Sequence, residues 1–291
     1  MERVDAHVHV FDRVSAQFPR TTSELAPAER EARAETLLAQ MEAAGIDRAV
    51  LIDMGGTAIE HHRYVTHCVR RWPGRFTATG LVDPNDADPP ARLRELVAQT
   101  GIRGIRLGSL DDGRATTAEQ VRAYGLFAVA RELRLNINVY GGADNLRCIG
   151  LLAPVFPEVV ISLDHLGMCP STPMRRDRWG RPRFDDEPIP PPSYPQVLEL
   201  ARFPNVYIKV SGEYAFSKQP YPYADMRPLV EQVYRAFGPE RMMWCSDFPW
   251  IAVEPGYGRL AVLLEHHLPA LGAAERELIM GGNALRVWFD R

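Results

Sequence analysis

The stretch Val4-Asp5-Ala6-His7-Val8-His9-Val10 decides how the rest of the chain is read. In an extended strand, side chains two apart share a face. His7 and His9 are therefore expected to project together while Val4, Ala6, Val8 and Val10 pack the opposite side. Two imidazoles side by side at a strand end supply half of a tetrahedral zinc shell or part of a three-ligand catalytic site. The same heptapeptide also suits a plain strand with two hydrogen-bonded histidines, so the remaining chain has to separate the two readings.

Outward from this strand, apolar strand-like runs alternate with helical periodicity to the end of the chain. Further strands are expected at Asp47–Asp53, Arg75–Asp83, Ile102–Leu107, Leu135–Tyr140, Val159–His165, Asn205–Val210 and Met242–Asp247. Helices are expected at Pro27–Ala44, stopped by Gly45, and at Ile59–Arg71, Pro89–Thr100, Ala118–Arg134, about 144–156, Tyr194–Arg202 and Asp225–Phe237. The run of prolines between Met168 and Pro192 predicts a segment without regular structure, a semi-rigid lid or an oligomer contact. No composition shift marks a second domain. The expected fold is α/β, a single 1–291 domain forming a (β/α)8 TIM barrel, with a proline-rich insertion (170–192) after strand six and additional C-terminal helices. A doubly wound open sheet would call for a glycine-rich turn after the first strand, where His-Val-His-Val-Phe-Asp stands instead.

Composition narrows the function. A hydrophobic content of 46% supplies a substantial core, and a net charge of −3 with interspersed signs argues against a nucleic-acid surface or a polybasic membrane patch. The expected partners are a small-molecule substrate and another copy of the chain as a homo-oligomer. No signal-peptide pattern and no apolar run of spanning length is seen, and Cys68, Cys148, Cys169 and Cys245 form no CxxC pair, which together predict a reducing, cytoplasmic setting.

In such a barrel, chemistry sits where strands end. Those ends carry His7 and His9, Asp53, Asp83, Arg106, Tyr140, Asp164 with His165, Lys209 with Glu213 beyond it, and Asp247. Arg106 offers a bidentate fork for a substrate carboxylate, or an ion pair with a neighbouring acid. Lys209 either anchors an anionic substrate or pairs with Glu213. Tyr140 can donate its hydroxyl to a substrate oxygen, and Trp250, like Trp179, lies in a rim loop that can wall the pocket. Trp72 and Trp288 are expected to pack helices onto the barrel, and the pairs His61-His62 and His266-His267 to be solvated.

His7-x-His9, Leu163-Asp164-His165-Leu166-Gly167, Ser246-Asp247-Phe248-Pro249 and Gly281-Gly282-Asn283-Ala284-Leu285-Arg286, in that order, resemble the amidohydrolase superfamily. The closer resemblance is to its amidohydrolase 2 branch of lactonases and non-oxidative decarboxylases. It implies that His7, His9 and Asp247 are metal ligands, that Asp247 is the general base for water, and that His165 contacts the polarised oxygen or the leaving group. It also exposes a departure, because the superfamily's usual strand-five histidine is replaced by Tyr140. A phenol is a poor substitute for imidazole on a divalent ion. Either Zn2+ or Mn2+ is held by His7, His9 and Asp247 alone, or the mechanism is metal-free. The expected activity is hydrolysis of a small cyclic ester bearing a carboxylate or hydroxyls. The alternative is a metal-dependent decarboxylase of an aromatic or unsaturated acid, and a third is a barrel that binds or isomerises its ligand.

Overall fold

The computed structural model describes residues 1–111 and 113–290. The strands are β1 (Val4–Val8), β2 (Arg48–Ile52), β3 (Phe76–Leu81), β4 (Gly104–Leu107), β5 (Asn136–Val139), β6 (Ile161–Leu163), β7 (Arg175–Arg176), β8 (Pro182–Arg183), β9 (Val206–Val210) and β10 (Met242–Trp244). Eight of them pair in the order β1-β2-β3-β4-β5-β6-β9-β10, every pair parallel, as a TIM barrel requires. The seam between β10 and β1 is joined by Asp247 N–H donating to the His7 carbonyl at 3.0 Å and His9 N–H to the Phe248 carbonyl at 2.7 Å. These two bonds set the first-strand histidines beside the last-strand aspartate.

Alternation sorts the strand side chains. Leu51, Ile105, Ile137, Ile161 and Ile208 face outward into the main core with the helices. Thr79, Arg106, Asn138, Ser162 and Lys209 take the other face, towards the barrel interior. The floor is apolar, with Val4, Ala6, Val50, Ile52, Val160, Met243 and Cys245 packed on Ala284, Val287 and Trp288 of the C-terminal helix Asn283–Trp288. Trp288 packs this helix onto the barrel, as expected, by filling the barrel bottom. Gly104 makes room for it, since a Cβ there would lie 2.9 Å from the indole.

The first strand departs from simple alternation. A register irregularity falls between Asp5 and Val8, so Val4 and Ala6 line the interior floor while Val8 and Val10 face the outer core. His7 still enters the interior beside His9, because the irregularity resets the face between Ala6 and Val8. Asp5 is turned to the seam, where it accepts from the N–H of His7 (3.2 Å) and Ser246 (2.9 Å) and from the Tyr257 hydroxyl (2.7 Å). A buried carboxylate with three donors has its place fixed by hydrogen bonding, which a hydrophobicity pattern does not register.

Other expectations are corrected. The helix expected from Pro27 begins only at Ala34, because the buried Arg20 guanidinium donates to the carbonyls of Ala26, Pro27 and Arg30 and organises that stretch as a loop. The run Ala118–Arg134 holds its α-helix at Tyr124–Leu133. The proline-rich insertion does contain regular structure, the antiparallel β7–β8 hairpin. His62 is fully buried, its Nδ1 donating to the Ala58 carbonyl (3.0 Å) and its Nε2 accepting from Leu81 N–H (2.9 Å), and His267 is buried too, so neither is solvated. Among the described residues, no helix is long and apolar enough to cross a membrane.

Candidate active site

Each strand end delivers its side chain to one buried cluster. The Nε2 atoms of His7 and His9 lie 3.1 Å apart, and Asp247 Oδ1 is 3.7 Å from the first and 3.5 Å from the second. Asp247 adopts a positive φ of 62° in the turn after β10, and its Oδ2 accepts the Tyr214 hydroxyl at 2.7 Å. Oδ1 is buried without a hydrogen-bond partner among the described residues. Burial alone would raise the Asp247 pKa, yet the imidazoles of His165, His7 and His9 outweigh it and hold the carboxyl well below the usual range.

Beneath this triangle lies a buried charge network. Asp164 Oδ1 meets Lys209 Nζ at 3.1 Å and His7 Nδ1 at 3.2 Å, and its Oδ2 meets Arg106 Nε at 2.9 Å. Burial would raise Asp164 too, but Lys209, His7 and Arg106 together depress it far below the ordinary value. His7 is kept neutral mainly by burial. Lys209 is fully buried on Asp164 and His7 and does not pair with Glu213, so it is no substrate anchor. An exposed anchor would need its ammonium in the pocket, and the Asp164 carboxylate holds it beneath the histidines instead.

His165 occupies a left-handed position (φ 53°), with Nδ1 2.9 Å from Ser211 Oγ and its ring 4.9 Å from that of His7. Gly212 permits this approach, because a Cβ there would stand 2.8 Å from the His165 Cβ. Tyr140 packs edge-on to His165 at 5.3 Å and lies under the Arg106 guanidinium at 4.9 Å, and burial pushes its hydroxyl up to about 12, so it is a donor at neutral pH. Beyond Nε, Arg106 makes no other hydrogen bond to a described residue. Trp250 lies at the mouth, its ring 6.1 Å from that of His9. Asp53, at the end of β2, is pushed up to about 7 chiefly by burial, and so is Glu213.

The donor set fits a cation. His9 Nδ1 faces the Ile52 carbonyl at 2.8 Å, an acceptor only, so that nitrogen carries the proton and Nε2 a lone pair. When His7 Nδ1 donates to Asp164, its Nε2 lone pair faces the same point, as does the unpartnered Asp247 Oδ1. Two nitrogens and an oxygen spaced 3.1–3.7 Å match the separation of about 3.4 Å between ligands of a tetrahedral ion. His7, Asp164 and His165 form a second group of potential ligands within 4.8 Å, but there Asp164 is already committed to two cations.

A family model described as amidohydrolase matches residues 4–289. The chain belongs to the amidohydrolase family. Among this amidohydrolase's relatives, L-fucono-1,5-lactonase of Burkholderia ambifaria is 25% identical over 99% of this chain and 96% of its own. D-galactarolactone isomerase of Agrobacterium fabrum is 31% identical over 84% of this chain and 78% of its own. A solved amidohydrolase from Burkholderia multivorans with bound zinc superposes with a TM-score of 0.71 at 21% identity, covering 99% of both chains, a likeness of fold.

Sequence reasoning named His7, His9, His165, Asp247, Arg106, Tyr140 and Trp250, and the structure brings all seven around one mouth. It missed Tyr214 and Ser211, which hold Asp247 and His165, and it listed Asp164 without seeing it as the hub. The signal for the first two lay in Ser211-Gly212-Glu213-Tyr214 directly after the seventh barrel strand, a polar stretch that leads into the short helix Glu213–Phe216.

Proposed function

We propose that the chain hydrolyses small cyclic esters, with Asp247 as the base that takes a proton from water. The observation that carries this reading is the buried Asp247, fixed through Oδ2 by Tyr214 while Oδ1 is turned to two imidazole nitrogens. The names of two relatives, a lactonase and a lactone isomerase, support a lactone ring as substrate.

In the reaction, the water oxygen bonds to the lactone carbonyl carbon as Asp247 accepts its proton. Arg106, Tyr140 and His165 place donors around the carbonyl oxygen or a substrate carboxylate, each such donor contributing about 3 kcal/mol at an oxyanion. The ring C–O bond then breaks, the leaving alkoxide takes back the proton, and the product acid ionises. His7, His9 and Asp247 are the residues that would hold Zn2+ or Mn2+, which supplies Lewis-acid activation. The unpartnered Asp247 Oδ1, facing the Nε2 atoms of His7 and His9, supports a divalent ion over the metal-free route. Lacking an imidazole at Tyr140, the site offers less to a decarboxylase that must chelate its substrate. We place the chain in the cytoplasm as one domain, which suits its four free, buried cysteines.

The test is pH-stat titration against five- and six-membered lactones with and without carboxylates. Wild type is expected to release one proton per ring opened, and Asp247→Asn to lower kcat by about a hundredfold or more. Isomer formation without acid would make it an isomerase, and carbon dioxide from an aromatic acid would make it a lyase.

A further inference from the structure

Arg30 lies in the loop after β1, which the pairing of Phe11 with Ala32 ties back to the barrel. Its guanidinium carbon is 5.0 Å from the centre of the Trp250 ring, which itself borders His9. Nη1 donates to the carbonyls of Leu25 (2.7 Å) and Gly180 (3.3 Å). Gly180 belongs to the turn of the β7–β8 hairpin, and the next residue, Arg181, lies 5.7 Å from the Tyr214 ring that holds Asp247. Arg30 is thereby fixed between the overhanging hairpin and the wall of the site.

Arg30 lacks an acidic partner of the kind that four arginines of the adjacent hairpin segment have. In the adjacent hairpin segment Arg175 pairs with Asp186, Arg176 with Glu24, Arg181 with Asp177 and Arg183 with Asp185. Among the described residues, no carboxylate pairs with Arg30, and its Nε and Nη2 make no hydrogen bond. Burial and the nearby Arg176 both push its pKa downward, the mark of a guanidinium whose charge is under-compensated. The Nε–Nη2 edge can take a carboxylate bidentately, while the Nη1 hydrogen bonds and the cation–π contact with the indole hold the group in place. Arg106, the other arginine of the mouth, stands on β4, three strands further round the barrel, and approaches the centre from a different side.

We infer that Arg30 is a second anion-recognising residue, and that the preferred lactone carries an acidic group at the Trp250 end in addition to any group met by Arg106. This rests on the lactonase reading above. A ligand with acids at both ends spans the reacting centre, which fixes its carbonyl against Asp247.

The test compares kcat/KM for two lactones of the same ring, one bearing a single carboxylate and one bearing two, in wild type, Arg30→Gln and Arg30→Lys. Wild type is expected to favour the dicarboxylate by about tenfold or more, and Arg30→Gln to lower that ratio at least about tenfold. Arg30→Lys should retain part of it, since a point charge lacks the fork. Should the glutamine variant not fold, the lysine variant decides, and a wild-type ratio there overturns the inference. An unchanged ratio in Arg30→Gln does the same and leaves the lactonase reading standing. If neither lactone is opened, the lactonase reading fails. Calorimetric binding of isophthalate and benzoate then decides Arg30 separately: isophthalate weakened about tenfold in the glutamine variant, with benzoate little affected, supports it, and equal binding to both proteins overturns it.

Discussion

Replacing Lys209 with Met tests whether the charge network beneath the imidazoles holds the site together. The ammonium is fully buried, 3.1 Å from Asp164 Oδ1 and 3.3 Å from His7 Nδ1. Methionine fills most of the space of the lysine stem, so the change removes charge with little cavity. Breaking a buried pair by deleting one partner costs about 3–5 kcal/mol. Asp164 keeps Arg106 at 2.9 Å, so the lower end, about 3 kcal/mol, is expected for Lys209→Met. Asp164→Asn leaves two cations on a neutral amide and should cost a similar amount. In the double variant the penalties share one cause, so its loss should fall short of the sum by at least about 1 kcal/mol. Urea unfolding at pH 7, followed by tryptophan fluorescence, measures all three. Asp164 is held below its ordinary pKa in the fold, so its contribution is present above the unfolded value near about 4 and disappears as the pH falls. Wild type and Lys209→Met should therefore converge in acid. Single losses under about 1 kcal/mol, or additivity within about 0.5 kcal/mol, would refute the reasoning.

Arg106→Gln should lower kcat/KM for a carboxylated lactone by about ten- to a hundredfold, through KM more than kcat, in steady-state assays. Asp53, raised to about 7 by burial, binds a proton in the fold that the unfolded chain has lost. Its contribution is full below about pH 4 and gone above about pH 7, so Asp53→Asn should gain stability relative to wild type as pH rises across that window in thermal melts. Gly212→Ala puts a methyl 2.8 Å from the His165 Cβ at a φ of 80°, and should cost about 1–3 kcal/mol in urea unfolding and reduce kcat together with it.

Much of the architecture was legible because burial on both faces writes parallel strands as apolar runs, and each of the eight expected barrel strands overlaps an observed one. The rim residues were legible for a related reason, since a charge ending an apolar run has to be met by something. The direction of a long side chain was not. Lys209 and Arg106 alternate correctly, yet whether their tips enter the pocket or turn down to Asp164 is decided by three strands at once. The irregularity in β1 was hidden because Asp5 is held by hydrogen bonds from the seam and Tyr257, partners roughly the whole chain away. The loop at 27–33 imitates a helix in composition, and only the carbonyls gathered by Arg20 reveal otherwise.

The most direct test of water delivery to a lactone carbonyl beside His7, His9 and Asp247 is turnover of an accepted lactone in 18O-labelled water, with the product read by mass spectrometry. One label in the new carboxylate and none in the freed hydroxyl is the predicted result, with formation of that product lost in Asp247→Asn. Label in the hydroxyl, or an unlabelled isomer as the product, would contradict the account.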